Sequence, residues 1–146
     1  MKYRLFDTDL HQLFDPSVSP RGFHENHKEY IPEYGSIIYT VWDKNQTFIY
    51  VGIGGIGQSP NTPLRQRNPR SRIEQHKSGR RSGDQFCIYV HDYYIVPTLD
   101  TKTYQFKRGH LDQLTQNFIQ NELSYRFMVF QTEDGDTVVR KIEKKI

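Results

Sequence analysis

The fold is decided by residues 37–52, which read IIYTVWDKNQTFIYVG. In this stretch two runs rich in β-branched and aromatic side chains flank the polar segment 43–46, a pattern that predicts a β-hairpin. With the loop centred on Lys44-Asn45, Tyr39 would lie directly opposite Tyr50, with the two Cβ atoms about 5 Å apart on one face of the hairpin. A register slip of two residues would change this pairing and still leave both phenols on the same face.

Size and composition predict one water-soluble domain. The chain has 146 residues, 35% of them hydrophobic, and a mean hydropathy of −0.79, so we expect a single modest core. No apolar run approaches the roughly 20 residues that a membrane helix requires, and the N-terminus has no signal-peptide pattern. The single Cys87 excludes an intramolecular disulfide and a cysteine zinc cluster, and its apolar neighbours predict a buried thiol. We therefore expect a cytoplasmic protein without a membrane partner.

Positive charge is concentrated in residues 65–81. Seven basic residues stand there against the single acid Glu74, which gives the segment a net charge of +6 in a chain whose total is +3. Such a segment favours a surface that faces a polyanion. A solvated, arginine-rich loop is the alternative that charge alone leaves open. The seven residues are Arg65, Arg67, Arg70, Arg72, Lys77, Arg80 and Arg81.

The rest of the chain predicts an α+β fold, with a small mixed or antiparallel β-sheet, the hairpin at its N-terminal end and helices that flank the sheet. Residues 1–35 read as an N-terminal arm with one short helix, which Asp7 or Thr8 can cap and Pro16 ends, and residues 36–146 as the main domain. In that domain we expect helices at 71–77, 110–122 and 137–146, with Ser71 and Asp136 as caps, and strands at 86–90, 93–96 and 123–130.

Two polar residues four positions apart stand on the helix that follows the hairpin. The spacing places Arg72 and His76 on one helix face, one turn apart. A guanidinium offers a two-pronged hydrogen-bonding group that suits a phosphate, and an imidazole can donate, accept or relay a proton. Taken alone, such a pair is more often part of an ordinary helix surface than of a functional site.

The hairpin tyrosines, followed by the Arg-x-x-x-His helix, resemble the GIY-YIG nuclease family. Ile37-Ile38-Tyr39 stands in the position of that family's first triplet, and Tyr50-Val51-Gly52 in the position of the second. Arg72 matches the helix arginine of the family, and His76 a position at which members carry histidine or tyrosine. The resemblance extends from about Ser36 to the end of the chain. Residues 77–86 are similar to a group of small, single-domain bacterial members.

The sequence departs from the family pattern at three places. Ile37 replaces a glycine of the first triplet. Twenty-two positions separate Tyr50 from Arg72, a long interval for the family, which implies an inserted loop. The family's downstream asparagine has no counterpart before Ile146, so we expect either a truncated sequence or a site that is supported in another way.

The resemblance implies a DNA endonuclease that binds one Mg²⁺ or Mn²⁺ ion through a glutamate after the last strand. Glu143 has that place in the family order, whereas Glu122 precedes the strand and is the second choice. Arg72 would hold the scissile phosphate, and His76 would share in proton transfer or hold a phosphate oxygen. Tyr39 is the assigned base and Tyr50 would position the water, although the two roles are exchangeable. Because an ordinary tyrosine has a pKa of about 10, a base that works near pH 7 needs about 4 kcal/mol of phenolate stabilisation.

The basic segment would then bind the DNA backbone, with affinity that falls as salt rises. The residues expected at this surface are Arg65, Arg67, Arg70, Lys77, Arg80 and Arg81. A double-strand cutter of this size is expected to act as two copies. The biological setting and the cleaved sequence are not readable from these residues.

Three other functions compete with this interpretation. Residues 52–57 fit the dinucleotide-binding pattern G-x-G-x-x-G, but Pro60 and Pro63 prevent a helix from starting there, so we expect no nucleotide cofactor. A metal site at His24 and His27 is weaker, because the two residues are three apart in a predicted coil. The strongest rival is a nucleic-acid-binding module that keeps the fold and cleaves DNA weakly or not at all.

Overall fold

A computed structural model describes residues 7–100 and 102–146 of the chain. Within these ranges the fold is α+β, as predicted, with five α-helices and one four-stranded antiparallel sheet. No helix of the described part is long and apolar enough to cross a membrane. Asp7 or Thr8 is the predicted cap of the first helix, and the side chains of both residues lie outside the described part of the structure.

The elements follow one another in the order α-β-β-β-α-α-α-β-α. The strands are β1 (Arg21–Gly22), β2 (Ser36–Trp42), β3 (Phe48–Gly54) and β4 (Ser124–Phe130). The helices are α1 (Asp7–Phe14), α2 (Arg70–Lys77), α3 (Gln85–Val90), α4 (His110–Glu122) and α5 (Gly135–Glu143). The sheet order is β1-β4-β2-β3, so β2 is an inner strand and β3 lies at one edge.

Helices cover both faces of the sheet. Ile37, Tyr39 and Val41 of β2 belong to a core that contains apolar residues of α2, α3 and α4. Ile38, on the other face, belongs to a second core with residues of α1 and α5. Because neighbouring residues of a strand point to opposite faces, β2 contributes to both cores, and all seven of its residues are buried.

The register of the hairpin differs from the predicted one. Tyr39 pairs with Gly52, and Val41 with Tyr50, because a bulge lies between Val41 and Trp42. The Asp43 carboxylate accepts hydrogen bonds from two loop N–H groups, those of Asn45 and Thr47, at 2.8 Å each. The loop between the paired residues Trp42 and Phe48 is therefore longer than the predicted segment 43–46. The two phenols are diagonal neighbours, but they share one face, as expected for a slip of two residues.

The glycines of β3 allow two close approaches. A Cβ atom on Gly52 would overlap the phenol of Tyr39, whose ring crosses the strand at this position. A Cβ atom on Gly54 would lie 3.1 Å from the Cβ atom of Arg72. The missing side chains thus let Tyr39 lie flat over the edge strand and let α2 pack close to it.

The segment 86–96 was predicted as two strands, and this prediction is wrong. Residues 85–90 form α3, and residues 91–95 continue it as a π-helical turn. The Asp84 side chain caps α3 by accepting a hydrogen bond from the N–H of Phe86 at 3.0 Å. A short apolar run has no period that separates a strand from a buried helix, and here the cap decides in favour of the helix.

Helix ends also differ from the predicted ones. Helix α2 begins at Arg70, and the Ser71 hydroxyl donates to the carbonyl oxygen of Asn68 at 3.1 Å instead of capping the helix. Helix α5 begins at Gly135, so Asp136 lies inside its first turn. Strand β4 and helix α4 agree with the prediction within one residue.

The described part of the N-terminal arm packs on the main domain. Phe23 and Ile31 belong to the core under α2, α3 and α4. The hydroxyl groups of Tyr30 and Tyr125 are hydrogen-bonded at 2.7 Å. His27 is buried against α2, with 6% of its surface exposed, and neither ring nitrogen has a hydrogen-bond partner among the described residues. Burial therefore lowers the pKa of His27, because a charged imidazole would be poorly solvated there.

We expect Gly52→Ala to destabilise the fold by about 1–3 kcal/mol, because the added methyl group would overlap the Tyr39 ring. In a Tyr39→Leu background this ring is absent, so the same glycine change should cost much less. Chemical denaturation of the four proteins measures the coupling. An equal cost in both backgrounds would contradict the proposed contact.

We expect His27→Leu to weaken the pH dependence of the free energy of unfolding. Because folded His27 has a lowered pKa, the unfolded chain binds the proton first, and stability is lost as the pH falls below about 6.5. One such group contributes a slope of at most about 1.4 kcal/mol per pH unit. Urea unfolding across this pH range measures the slope, and the exposed His24→Leu is the matched control. Equal slopes in wild type and His27→Leu would refute the argument.

Candidate active site

A chain of three buried polar side chains runs from β2 through α2 to the start of α3. The Tyr39 hydroxyl lies 2.6 Å from Nε2 of His76, and Nδ1 of His76 lies 2.7 Å from Oδ2 of Asp84. Exposure of each residue is 1% or less. The Cys87 thiol donates to the same carboxylate oxygen at 3.3 Å. Every member of the chain therefore has a partner in a place that water does not reach.

The hydrogen-bond chemistry of these groups assigns their protons. An ionised carboxylate only accepts, so Nδ1 of His76 carries a proton and donates it to Asp84. In a neutral imidazole the other nitrogen is then an acceptor, and Nε2 receives the O–H of Tyr39. Burial lowers the pKa of His76, although Asp84 opposes this effect, so the neutral imidazole is favoured. Burial is the largest single influence and would raise the pKa of Asp84, but the hydrogen bonds from His76 and Cys87, with the electrostatic attraction of His76, together hold that pKa below its usual value.

Tyr50 lies beside this chain and is only half buried. Its ring contacts His76 edge-on, with 6.0 Å between the ring centroids. Burial raises the pKa of Tyr50, while the positive charge of Arg72 partly opposes the rise. Burial raises the pKa of the fully enclosed Tyr39 well above its usual value, and Tyr50 adds to this effect. Of the two phenols, Tyr50 is the one that remains in reach of solvent.

A cleft of about 380 Å³ opens at the edge of the sheet beyond β3. It is lined by residues 53–56 and by Ser71, Arg72, Gln75 and Arg140. The Arg72 guanidinium is exposed and donates to the Gln75 amide oxygen at 3.1 Å, while the Gln75 amide nitrogen donates to the carbonyl oxygen of Gly83. Two guanidinium groups on different helices thus line one cleft that has no acidic side chain in its lining, which suits an anion.

Glu143 follows Arg140 by three residues and so lies on the same side of α5. Its charge acts on the phenols of both Tyr39 and Tyr50, raising their pKa values. The carboxylate is half buried and makes no hydrogen bond or ion pair with the described residues. The second choice, Glu122, is instead paired with Lys44 at 2.7 Å.

The chemistry of Glu143 fits the implied Mg²⁺ ion. Among the residues that the structure describes, no three His, Cys, Asp or Glu side chains form a ready-made metal cage. Mg²⁺ usually keeps several waters and binds proteins through one or two carboxylates together with substrate phosphates. A single unpaired carboxylate beside a cationic cleft meets that requirement.

Most of the predicted DNA-binding residues are engaged within the protein. Arg67 is buried, with 4% of its surface exposed, which contradicts its prediction as a DNA contact. Its guanidinium donates to the carbonyl oxygens of Thr62 and Glu133 and pairs with Asp136 at 3.6 Å. Three others are partly buried and bind backbone carbonyls or an acid: Arg70 at Ile31 and Lys28, Lys77 at Glu25, and Arg81 at Asp112. Arg65 is exposed and stacks on Tyr34, and Arg80 is exposed.

Three residues of this site were missed by the sequence reasoning. Asp84 lies eight positions after His76, in a segment that was misread as the approach to a strand. Gln75 orients Arg72, and Arg140 lines the cleft from the far end of the chain. Only Arg140 had a usable signal, since it stands one helical turn before Glu143.

Comparison with known proteins gave no match: no family model matches the chain, and no similar protein was found among the curated proteins or the solved structures. The resemblance described above therefore remains a prediction that depends on the residues themselves.

We expect Asp84→Asn to reverse the tautomer of His76. The new carboxamide must keep its oxygen on the N–H of Phe86 to cap α3, so its NH₂ group faces Nδ1 of His76. Nδ1 then becomes an acceptor, the proton moves to Nε2, and the hydrogen bond with Tyr39 must turn round. ¹⁵N chemical shifts of the imidazole measure the change, together with a destabilisation of about 1–3 kcal/mol.

The matched control is Asp92→Asn, which alters the more exposed aspartate–histidine contact with His91. It should leave the His76 nitrogen shifts unchanged. Unaltered His76 shifts in Asp84→Asn would contradict the proton assignment.

Proposed function

We propose that this protein is a divalent-metal-dependent DNA endonuclease of the GIY-YIG type, which hydrolyses phosphodiester bonds. The observation that carries the proposal is the meeting of two phenols, a buried His–Asp pair, an exposed arginine and an unpaired glutamate at the edge strand β3. Hydrolysis of a phosphodiester needs charge neutralisation, an oriented water and a group that takes a proton. The assembled side chains offer each of these functions.

Arg72 would bind the scissile phosphate. Its guanidinium is exposed in the cleft, is held by Gln75, and can donate two parallel hydrogen bonds to phosphate oxygens. Arg140 lines the same cleft and adds positive charge from α5. Negative charge accumulates on the phosphoryl oxygens in the transition state, so cations fixed in advance at this position lower the barrier.

Glu143 would hold the metal ion together with water and a phosphate oxygen. When bound, the ion supplies Lewis-acid polarisation of the scissile phosphate. Glu143 and Arg72 both act electrostatically on the two phenols, so ion, phosphate and phenols would be close neighbours.

The different burial of the two tyrosines favours the exchange of their proposed roles. Tyr39 is fully buried and bound to His76, so Tyr50, which stays accessible, is the better group to meet the attacking water. Because both phenols have raised pKa values, a standing phenolate is unfavourable. The hydroxyl of Tyr50 makes no hydrogen bond to the described residues, so the relay that we propose requires bound substrate to bring it onto the Tyr39 oxygen. Tyr50 would then take the proton of the water as its own proton passes to Tyr39. Tyr39 in turn gives its proton to Nε2 of His76, and Asp84 stabilises the imidazolium.

A nucleic-acid-binding module without cleavage is the second candidate. The raised pKa values of both phenols favour it, because they oppose loss of a proton at the site. A protein with this function would retard DNA on a gel with or without metal and would leave the DNA intact.

We expect supercoiled plasmid to be cut in the presence of Mg²⁺ or Mn²⁺ and to stay intact in excess EDTA. Arg72→Ala, Tyr50→Phe and Glu143→Gln should each slow cleavage by about 10²–10³-fold, because each removes a charge or a proton path used in the transition state. Gel analysis of nicked and linear products measures the rates. It also tests whether two copies act together, since a single site on a monomer nicks one strand at a time.

Tyr93→Phe is the matched control, because Tyr93 is 67% exposed and its hydroxyl makes no contact with the site. Thermal unfolding of every variant separates a catalytic loss from a folding loss. Wild-type cleavage by Tyr50→Phe would exclude the relay, and intact plasmid with wild-type protein in both metals would favour the binding module.

A further inference from the structure

A second cleft, of about 340 Å³, lies on the other side of the glycine-rich segment that follows β3. Its polar lining residues carry carboxamides and hydroxyls and no charge, and we call it the amide cleft; they are Gln58, Gln66, Asn68, Thr62 and Ser71. Nothing in the proposed hydrolysis uses these side chains. They belong to the long interval between Tyr50 and Arg72, in which the chain departs from the family pattern.

The amide cleft adjoins the cationic cleft of the candidate active site. The two clefts share Gly55, Ile56 and Ser71 in their walls. Ser71 also immediately precedes Arg72, the residue proposed to bind the scissile phosphate. A nucleotide whose phosphate lies on Arg72 therefore has its base, or the neighbouring base, within reach of the amide cleft.

The chemistry of the amide cleft differs from that of the cationic cleft. No charged side chain lines it, so it has no attraction for a phosphate backbone. The carboxamides of Gln58 and Gln66 make no hydrogen bond to the described part of the protein. Each carboxamide offers a donor and an acceptor in one plane. Adenine presents the complementary pair, the N7 acceptor and the N6 amino donor, to which Asn and Gln bind with two hydrogen bonds.

Internal contacts hold the amide cleft in a defined shape. The buried Arg67 donates to the carbonyl oxygen of Thr62 at 3.3 and 3.2 Å and to that of Glu133 at 3.0 Å, which ties the loop to the start of α5. The hydroxyl of Thr62 accepts from the N–H of Ser59 at 3.1 Å. These contacts hold the loop that carries the two glutamines, and the carboxamides themselves stay free to bind a ligand.

We propose that the amide cleft recognises an adenine next to the phosphate held by Arg72, so that DNA is bound and cut with a preference for adenine at one position. This inference rests on DNA being the substrate. Gln58 and Gln66 are the specificity-determining residues, and Arg67 holds the loop that carries them. Asn68 is less available to bind a base, because its side-chain oxygen already accepts a hydrogen bond from the N–H of Arg70.

The test uses the full chain and a duplex library with randomised sequence, in two arms. In the first arm, DNA is cut with Mg²⁺ and the new ends are sequenced. In the second arm, DNA retained by the protein in EDTA is recovered and sequenced, so that recognition is measured without cleavage. Wild type should enrich adenine at one position, and Gln58→Ala and Gln66→Ala should each reduce that enrichment about tenfold. The overall cleavage rate should fall by less than about threefold, because neither residue contacts the phosphate.

Gln12→Ala is the matched control, since Gln12 is an exposed glutamine that lines a different groove, beside β4. Binding with an adenine preference that the two variants lose, without any cleavage, would support this inference while the endonuclease proposal fails. Cleavage or binding without a base preference would overturn the inference. So would a preference for another base, or an adenine preference that survives both substitutions.

Discussion

The hydrogen bond between Tyr39 and His76 is the constraint around which the structure is arranged. A phenol in the middle of an apolar core must have a hydrogen-bond partner, because an unsatisfied hydroxyl there costs several times the net worth of the bond. Tyr39 reaches its partner by lying across Gly52, and His76 completes its own hydrogen bonding through Asp84. The buried hydroxyl of Tyr39 thus links β2 to α2 across β3. His76 extends this link to Asp84, the cap of α3. It also brings Tyr50 and Arg72 to the same edge of the sheet.

Most of the basic residues that were predicted to contact DNA instead bind groups inside the protein. Four of the six residues predicted to contact DNA bind internal carbonyls or carboxylates. Guanidinium groups suit this work because one side chain can bind several oxygens at once. The cationic character of the candidate site comes instead from Arg72 and from Arg140 of α5. Cations from two helices that line one cleft focus their field on a small volume, whereas charges spread along a basic loop would not.

Hydrophobic periodicity in the sequence predicted the elements of the fold in which that periodicity is strong. The hairpin, helix α4 and strand β4 carry strong periodicity and were predicted close to their observed positions. The register of the hairpin was wrong by two residues, because an aspartate turn and a bulge are invisible to periodicity. Segment 86–96 was misread, since its short apolar run fits a strand and a buried helix equally well. The roles of Asp84 and Arg67 depend on contacts with residues that are not their neighbours in the sequence, His76 and Glu133, and no local signal reports these contacts.

The inner strand β2 has a consequence for biosynthesis. Its two partners are β3, a few residues further on, and β4, which follows more than eighty residues later along the chain. While a ribosome is still making the second half of the protein, this strand has only one of its two strand partners, and α5 with Glu143 does not yet exist. Contacts between such distant segments also form slowly. A nascent chain would therefore spend its synthesis time with an incomplete sheet and without the carboxylate of Glu143.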